Sequence, residues 1–577
     1  MGARRLFLAI SIIVALCGFP VTAWAQWQAD GTPVCVGSWG KQHPTMVPDG
    51  TGGVIVVWED SRASGTSGFI YAQRLDDAGV PQWTPNGIPL DLSRTYSQTG
   101  VVATTDQVGG VIVAWIEYTG VNEVIRAQRI NGSGVTLWSS IVCGAPSLRR
   151  FMSIVSDGVT PLLVGSSGGA VIAWTDDRYG GTAGADVFAQ HLGGNGVTLW
   201  TVDGVAVSTA AGQQWAPTIT TDGIGSITSP KSVVMSWLDT RTDPGDIYAQ
   251  RLSAGGVPQW TADGAPVCMA DSSQGGPAAV FVGSGNVILC WNDLRNGHKA
   301  YDLFAQRVGS SGAWSTATGV PVCVTTGRAS QQQLVSDGGG GALAVWTDDR
   351  NGGISDIYAQ RIDATGAAQW LTNGVPVCMA SAMQSIPLAV TDISGGMIVA
   401  WLDYRGGSES DIYAERVNGA GISLWATNGI RLCHADGSQI TRAIAGDGSG
   451  GAIVLWEDGR AANPGLYAQH VTGGGGALAV GERARTEFHV FASPDPTPGP
   501  VSIRFELPSA RRVTARVMDA GGRVVATLAD NAEFGAGPRA LAWDGRDGAR
   551  GPLSSGVYFV SVRAGDEHAV RRVLIFR

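Results

Sequence analysis

The sequence predicts an all-β chain, an eight-bladed β-propeller followed by a small immunoglobulin-like β-sandwich, on three observations. A tryptophan-centred phrase recurs eight times at spacings of 54 to 63 residues. The 83 glycines concentrate in turns between short apolar runs, and a Pro-rich break near residue 495 ends the repeat. With 577 residues, 44% hydrophobic and only 15% charged, the chain is neither a coiled coil nor a disordered acidic segment.

The first element is an export signal. Arg4 and Arg5 precede an apolar run from Leu6 to Cys17, and Ala23-Trp24-Ala25 places small residues where a signal peptidase reads them. Residues 1–25 are expected to be removed, leaving a mature, secreted chain from Gln26. The run is too short for a ~30 Å hydrocarbon core, and no membrane anchor is expected after it. Removal of Cys17 leaves Cys35, Cys143, Cys268, Cys290, Cys323, Cys378 and Cys433. All but Cys290 fall at one repeat position, and equivalent positions in a repeat seldom approach within disulfide distance, so buried free thiols are expected. No Cys/His spacing for zinc occurs.

The repeat carries the main domain, residues 26–480. Its eight tryptophans are Trp58, Trp115, Trp174, Trp237, Trp291, Trp346, Trp401 and Trp456, each ending an apolar run. Seven are followed by an acid and an arginine at fixed offsets: Asp60 and Arg62, Asp176 and Arg178, Asp239 and Arg241, Asp293 and Arg295, Asp348 and Arg350, Asp403 and Arg405, Asp458 and Arg460. The unit of Trp115 is degenerate, with Glu117 and Thr119 in their place. A second series (Trp27, Trp83, Trp138, Trp200, Trp260, Trp314, Trp370, Trp425) and the phrase D-I-Y-A-Q-R, as at Asp356–Arg361, repeat with it. Sixteen of 20 tryptophans thus sit in two registers, which makes them packing residues.

Each unit reads as four short strands: Pro321-Val322-Cys323, the segment running into Asp337-Gly338, the apolar run Ala342–Trp346, and Asp356–Arg361. Asp-Gly and Gly-Gly supply the positive φ of tight hairpins. A continuous apolar strand implies burial on both faces, which stacked propeller blades provide. An open solenoid needs polar capping units, and the first and last units here keep the tryptophans, so closure is expected. The phrase at Trp27 either completes the last blade or opens the first.

The repeated Asp/Arg cluster has two readings, a calcium or glycan site on every blade or a turn brace. A guanidinium among the acids opposes a cation and satisfies carboxylates and turn carbonyls, which favours the brace, with no metal and no cofactor expected. The features that break the repeat are the unit of Trp115, Arg149-Arg150, the loop 223–231 and His298-Lys299-Ala300-Tyr301. None forms a nucleophile elbow, phosphate loop or metal-binding helix, so no catalytic residue is assigned. The Ser-x-Asp-x-Gly-x-x-Trp turn of sialidase-like propellers and the docking motif of quinoprotein dehydrogenases are absent as well.

After Gly473-Gly474-Gly475-Gly476 a linker (481–500) containing Ser493-Pro494-Asp495-Pro496-Thr497-Pro498-Gly499-Pro500 leads into a different β domain, residues 501–577. Its alternating runs Val501–Leu507 and Val513–Met518, Gly521-Gly522-Arg523-Val524, Trp543-Asp544-Gly545-Arg546-Asp547, Gly556-Val557-Tyr558-Phe559 and Val573–Phe576 suit a small sandwich. In the order of these motifs the module resembles the FlgD-type immunoglobulin-like domain, over about Phe488 to Arg577. Such modules are similar to the C-terminal sorting domains of type IX secretion cargo. The resemblance implies passage across an outer membrane and a partner in the secretion machinery.

Residues 26–481 hold 23 basic and 37 acidic side chains, net −14, against +3 for residues 488–577, and nucleic-acid binding is not expected. The chain therefore reads as a secreted or cell-surface monomer whose propeller recognises a glycan or an extracellular protein. The alternative is a secreted propeller glycoside hydrolase, sialidase-like, or a polysaccharide lyase.

Overall fold

The computed structural model describes residues 27–63, 68–91, 96–120, 122–159, 168–179, 184–223, 230–242, 245–297, 301–309, 314, 318–461, 463–476, 490–493, 501–507, 510–535, 537–547, 551–565 and 567–575. Every regular element in them is a strand. The expected signal, most of the linker, His298-Lys299-Ala300 and most of the loop 223–231 lie outside the described residues.

One sheet shows how the repeat folds. Ala329–Ser336, Ala342–Asp348, Asp356–Ile362 and Val375–Cys378 lie side by side in that order, antiparallel throughout. Asp337 closes the first hairpin, its Oδ1 accepting the N–H groups of Gly339 (2.7 Å) and Gly341 (2.8 Å). The apolar run Ala342–Asp348 is buried at every position, as a strand covered on both faces must be. The Pro-Val-Cys strand is the last of its sheet, not the first of the next as the sequence grouping had it. Val320–Cys323 pairs with Asp302–Gly309 of the preceding sheet, Val320 opposite Ala305. The hairpin partner is the strand nearest along the chain.

Among the described residues eight such four-stranded sheets repeat, numbered here 1 to 8. Their first strands are Lys41–Pro48, Gln98–Thr105, Arg149–Ser156, Gln214–Thr221, Gln274–Gly283, Ala329–Ser336, Gln384–Thr391 and Gln439–Gly446. Each first strand lies against the next, and Gln439–Gly446 lies against Lys41–Pro48. Sheet 8 takes its fourth strand from the N-terminus, Thr32–Val36, antiparallel to Gly465–Val471 with Thr32 opposite Ala468. The phrase at Trp27 therefore completes the last sheet. The arrangement is all-β and consistent with propeller repeats.

The core lies between sheets rather than in one centre. Trp346, fully buried, packs with Ile288, Cys290, Leu303 and Cys323 of the preceding sheet. Gly374 sits beside it at φ 90°, where a Cβ would lie 2.6 Å from the indole, so the turn before the last strand needs glycine for both reasons, in every sheet but sheet 2. The second tryptophan series joins neighbours through its indole N–H. Trp314 donates to Ala364 O of sheet 6 (3.1 Å), Trp425 to Gly473 O of sheet 8 (3.2 Å) and Trp27 of sheet 8 to Asp77 O of sheet 1 (2.9 Å).

The C-terminal residues form a separate immunoglobulin-like domain. A three-stranded sheet, Val490–Ser493, Val501–Leu507 and Gly537–Trp543, faces a four-stranded one of Val524–Phe534, Arg511–Asp519, Gly556–Ala564 and Glu567–Ile575. Ile503, Phe505, Trp543, Val560 and Val573 are among the buried residues of their common core.

Candidate functional site

The Asp/Arg pairs are built alike. Trp346 Nε1 donates to Asp348 Oδ2 (2.8 Å), while Arg350 N and Nε donate to Oδ1 (3.0 and 2.8 Å) and Nη2 to Oδ2. The same Nη2 reaches Asn373 O (2.9 Å) and Cys323 Sγ (3.1 Å), and the guanidinium lies 4.0 Å over Tyr358. Burial alone would raise the Asp348 carboxyl, but the bonds from Arg350 and Trp346 outweigh it and hold the group below the usual carboxylate range. The indole bond recurs at 2.7–2.9 Å in Trp58–Asp60, Trp174–Asp176, Trp237–Asp239, Trp291–Asp293, Trp401–Asp403 and Trp456–Asp458. Arg62, Arg178, Arg241, Arg295, Arg405 and Arg460 repeat the stacking at 3.8–4.2 Å. Asp348's lone pairs are thus taken by an indole, one arginine and the Cys323 thiol (3.5 Å), a geometry that holds a turn.

Six of the seven cysteines belong to this brace; Cys290 lies in the apolar second strand of sheet 5. Cys323 of sheet 5 meets Arg350 of sheet 6, and Cys35 of sheet 8 meets Arg62 of sheet 1. All seven described thiols are free and buried. Burial pushes Cys35 and Cys268 up to about 11 and Cys290, Cys378 and Cys433 up to about 12, which makes them poor nucleophiles. Ser208 occupies the position once, accepting from Arg241 (3.2 Å).

The sequence reading missed two devices, one between sheets and one within a sheet. In the turn before the last strand of six sheets, an Asn or Asp at positive φ accepts a backbone N–H of the neighbouring sheet. Asn373 Oδ1 takes Val324 N and Asn86 Oδ1 takes Val36 N, both at 2.9 Å. The signal was in the sequence as Trp-x-x-Asn/Asp-Gly. The hairpin aspartates also pair with the arginine of D-I-Y-A-Q-R, as Asp337 with Arg361 (3.0 Å) and Asp49 with Arg74 (2.9 Å). In two sheets histidine replaces that arginine, His191 facing Asp157 and His470 facing Asp447.

Sheet 2 departs from the pattern. Thr119 stands in the arginine position, and Arg126 takes over from the place of the usual tyrosine, its Nε 2.5 Å from Glu117 Oε2. Trp115 Nε1 has no hydrogen-bond partner among the described residues.

The asymmetric surface lies at one end of sheets 2 to 4, where second strands finish and first strands begin. Tyr96, Tyr118, Phe151, Tyr179 and Trp215, the exposed aromatic residues among the described side chains, all lie there, 41–58% exposed. Each first strand carries a bulge near its start, between Arg150 and Ser153 in sheet 3 and between Trp215 and Thr218 in sheet 4. The bulge residue is left-handed, at φ 48° in His43, 49° in Phe151 and in Ala216, and 52° in Ile386. A bulge turns one amide out of the ladder, and at three boundaries the preceding sheet caps it. Glu59 Oε1 accepts Gly100 N (2.7 Å), Thr175 Oγ1 accepts Ala216 N (3.2 Å) and Gln331 Oε1 accepts Ile386 N (3.0 Å). Charges in this register are paired: His43 with Glu59 (2.9 Å), Arg150 with Asp177, Arg442 with Glu457 (2.8 Å). Of the sequence-predicted asymmetric features, Arg149-Arg150 and the unit of Trp115 fall here. Arg149 is buried against Asp176 (3.3 Å), and Arg150 is half-exposed.

In the C-terminal domain Trp543 Nε1 donates to Arg546 O (3.2 Å) and its ring meets Tyr558 edge-on at 5.7 Å. Asp544 Oδ1 caps Arg546 N (3.0 Å), Gly545 turns at φ 72°, Asp547 lies 3.5 Å from Arg523, and Gly556 opens the strand that carries Tyr558. The motif is therefore a folded turn against the core.

The family model described as FlgD Ig-like domain matches residues 495–567. No curated protein matches the chain. Among solved structures, the polysaccharide lyase Uly1 is 10% identical at TM-score 0.38, over 65% of this chain and 89% of its own. An α-L-arabinanase of Penicillium chrysogenum complexed with arabinobiose is 11% identical at 0.31, over 65% and 93%. The GH93 α-L-arabinofuranosidase of Fusarium graminearum is 11% identical at 0.32, over 59% and 98%. At these TM-scores the likenesses say nothing of this chain's substrate, which must be read from its own residues.

Proposed function

We propose that the repeat region is a closed eight-bladed β-propeller of a secreted protein, and that it engages a polysaccharide across the aromatic end of blades 2 to 4. The observation that carries this is the gathering of Tyr96, Tyr118, Phe151, Tyr179 and Trp215, the exposed aromatic residues among the described side chains, at one end of three consecutive sheets. Exposed rings with flat apolar faces and polar rims suit sugar faces, which are apolar across the ring and hydroxylated at the edge. Closure is supported by the N-terminal strand in sheet 8 and by the Trp27 bond to Asp77. Affinity electrophoresis of the mature chain through gels containing soluble polysaccharides tests recognition. Retardation by at least one of them is expected, and migration unchanged by all of them, with capture of a protein partner instead, refutes it.

A second reading, cleavage of the bound polysaccharide by hydrolysis or elimination, is favoured by Glu59. Its buried carboxylate holds exposed His43 at 2.9 Å and the bulge amide of sheet 2 at 2.7 Å, which gives an acid and a base at the same end. New reducing ends or an ultraviolet-absorbing unsaturated product, lost in Glu59→Gln, are the expected signs. Their absence with every bound polysaccharide leaves recognition alone. For the C-terminal domain we propose a role in export or surface sorting, supported by its match to an Ig-like module and its position after a Pro-rich linker. Appearance outside the outer membrane should be lost when the chain is truncated at Ser493; unchanged appearance refutes the role.

A further inference from the structure

Deepening the proposed carbohydrate recognition and resting on it, we infer that the polysaccharide is uncharged, and that Phe151 and Trp215 on the bulges of sheets 3 and 4 are the platform its sugar rings stack on. Both side chains leave adjacent first strands, Arg149–Ser156 and Gln214–Thr221, which lie against each other. Phe151 is the first residue within its bulge, and Trp215 is the last residue in register before the bulge of the next sheet. A phenylalanine at φ 49° is an uncommon backbone state for a bulky side chain. A bulge that keeps it there aims the ring away from the sheet, where it is 56% exposed, and Trp215 on the adjacent first strand is 41% exposed. Ordinary packing would have turned both inward, as it does with the repeat tryptophans.

The charges of the same end select among glycans. An acidic polysaccharide needs an arginine or lysine free to grip carboxylate or sulfate. Here Arg150, next to Phe151, is engaged by Asp177; Arg149 is buried on Asp176; and Arg442, in the equivalent register of sheet 8, is engaged by Glu457. His43 faces Glu59. Among the described residues these four cations are each engaged by a carboxylate, Lys41 donates instead to Gly37 O (2.6 Å) and Trp39 O (3.1 Å), Arg328 before sheet 6 lies over Tyr301, and the repeat region as a whole is net −14. A polyanion would meet repulsion at long range and self-satisfied pairs on contact. A neutral chain meets two rings and a set of dipoles.

Affinity electrophoresis and calorimetric titration of the mature full-length chain with neutral polysaccharides (galactan, xylan, mixed-linkage glucan) and anionic ones (polygalacturonate, alginate, chondroitin sulfate) decide the matter. Binding to at least one neutral member is expected, little changed as salt is raised, and weakened by ~tenfold in Trp215→Ala and in Phe151→Ala. Unchanged thermal midpoints in both variants show that the fold is intact. Binding confined to the anionic set, falling steeply with salt, overturns the inference while leaving recognition in place. Neutral binding that survives both substitutions overturns the platform. Failure to bind any member sinks the inference and the underlying function together.

Discussion

Glu415→Gln is expected to stabilise the repeat region, and the reason can be followed atom by atom. The third strand of every sheet carries a buried glutamine at this position, except sheet 7, which has Glu415. In sheet 6 Gln360 Oε1 accepts Arg361 N (2.9 Å) and Trp370 N (3.0 Å), and its Nε2 donates to Leu371 O (2.9 Å). Glu415 reproduces the accepting half, taking Arg416 N (2.9 Å) and Trp425 N (2.8 Å), but its Oε2 is buried without a hydrogen-bond partner among the described residues. Burial pushes the carboxyl above its usual value, and the backbone N–H bonds only partly oppose this. An acid whose folded pKa is raised binds more protons folded than unfolded, so stability falls as pH rises from the unfolded value through the folded one, and the deficit is full above that window. Glutamine restores the missing donor and removes the titration. A buried polar atom left unsatisfied costs about 1–3 kcal/mol. At ~2.1 cal/mol/K per residue of unfolding entropy over roughly 450 residues, that is a rise of about 1–3 °C in the midpoint. Scanning calorimetry of the mature wild-type and variant chains should show this gain at neutral pH, shrinking as pH is lowered toward the range of an ordinary glutamate. A variant midpoint equal to or below wild type at neutral pH would refute the reasoning.

Trp27→Ala removes a buried indole and its bond to Asp77 O across the junction of sheets 8 and 1. A loss of about 3–5 kcal/mol is expected, read as a lowered calorimetric midpoint together with protease cleavage at the N-terminal strand. Burial alone would raise Asp447, but bonds from His470 and Ser449 outweigh it and bring it to about 2. Its depressed pKa contributes stability that is present above the unfolded value and lost as pH falls from about 4 toward about 2. Asp447→Asn should therefore flatten the acid limb of denaturant midpoints across that window. Arg126→Tyr writes the repeat's usual residue into sheet 2 yet strips buried Glu117 of its cation, with an expected cost of about 3–5 kcal/mol. Adding Glu117→Asp and Thr119→Arg should restore most of the midpoint, and a triple variant no more stable than Arg126→Tyr counts against the exchange.

The repeat and its packing were legible because they rest on period and residue type. Trp346, Asp348 and Arg350 stand two residues apart on one strand and turn, so their mutual bonds are local and spacing announces them. The last-strand assignment was misread because Pro321-Val322-Cys323 sits between two units, and sequence spacing does not say which neighbour it pairs with. The clamp from Asn373 to Val324 and the bond from Trp314 to Ala364 O join residues about fifty positions apart, where only the turn of one sheet against the next brings the groups together. Arg149-Arg150 was singled out by charge. Phe151 and Trp215 were not, since nothing in an aromatic residue's identity tells whether a bulge will turn it outward.

Sheet 2 shows what the repeat requires and what it releases. The brace needs one buried guanidinium against one buried carboxylate, and whether the cation comes from the turn, as Arg350 does, or from the third strand, as Arg126 does, changes little for the acid. It changes the turn. With the cation moved inward, the segment around Thr119 no longer spans back to the last strand of its own sheet, as Arg350 does through Asn373 O, and Tyr118 beside it is exposed. The sheet that gave up its turn arginine thus borders sheet 3, which carries Phe151. Among the described residues, the pattern is relaxed in the sheet next to the exposed aromatic residues, which is what the proposed propeller needs in order to present a single site.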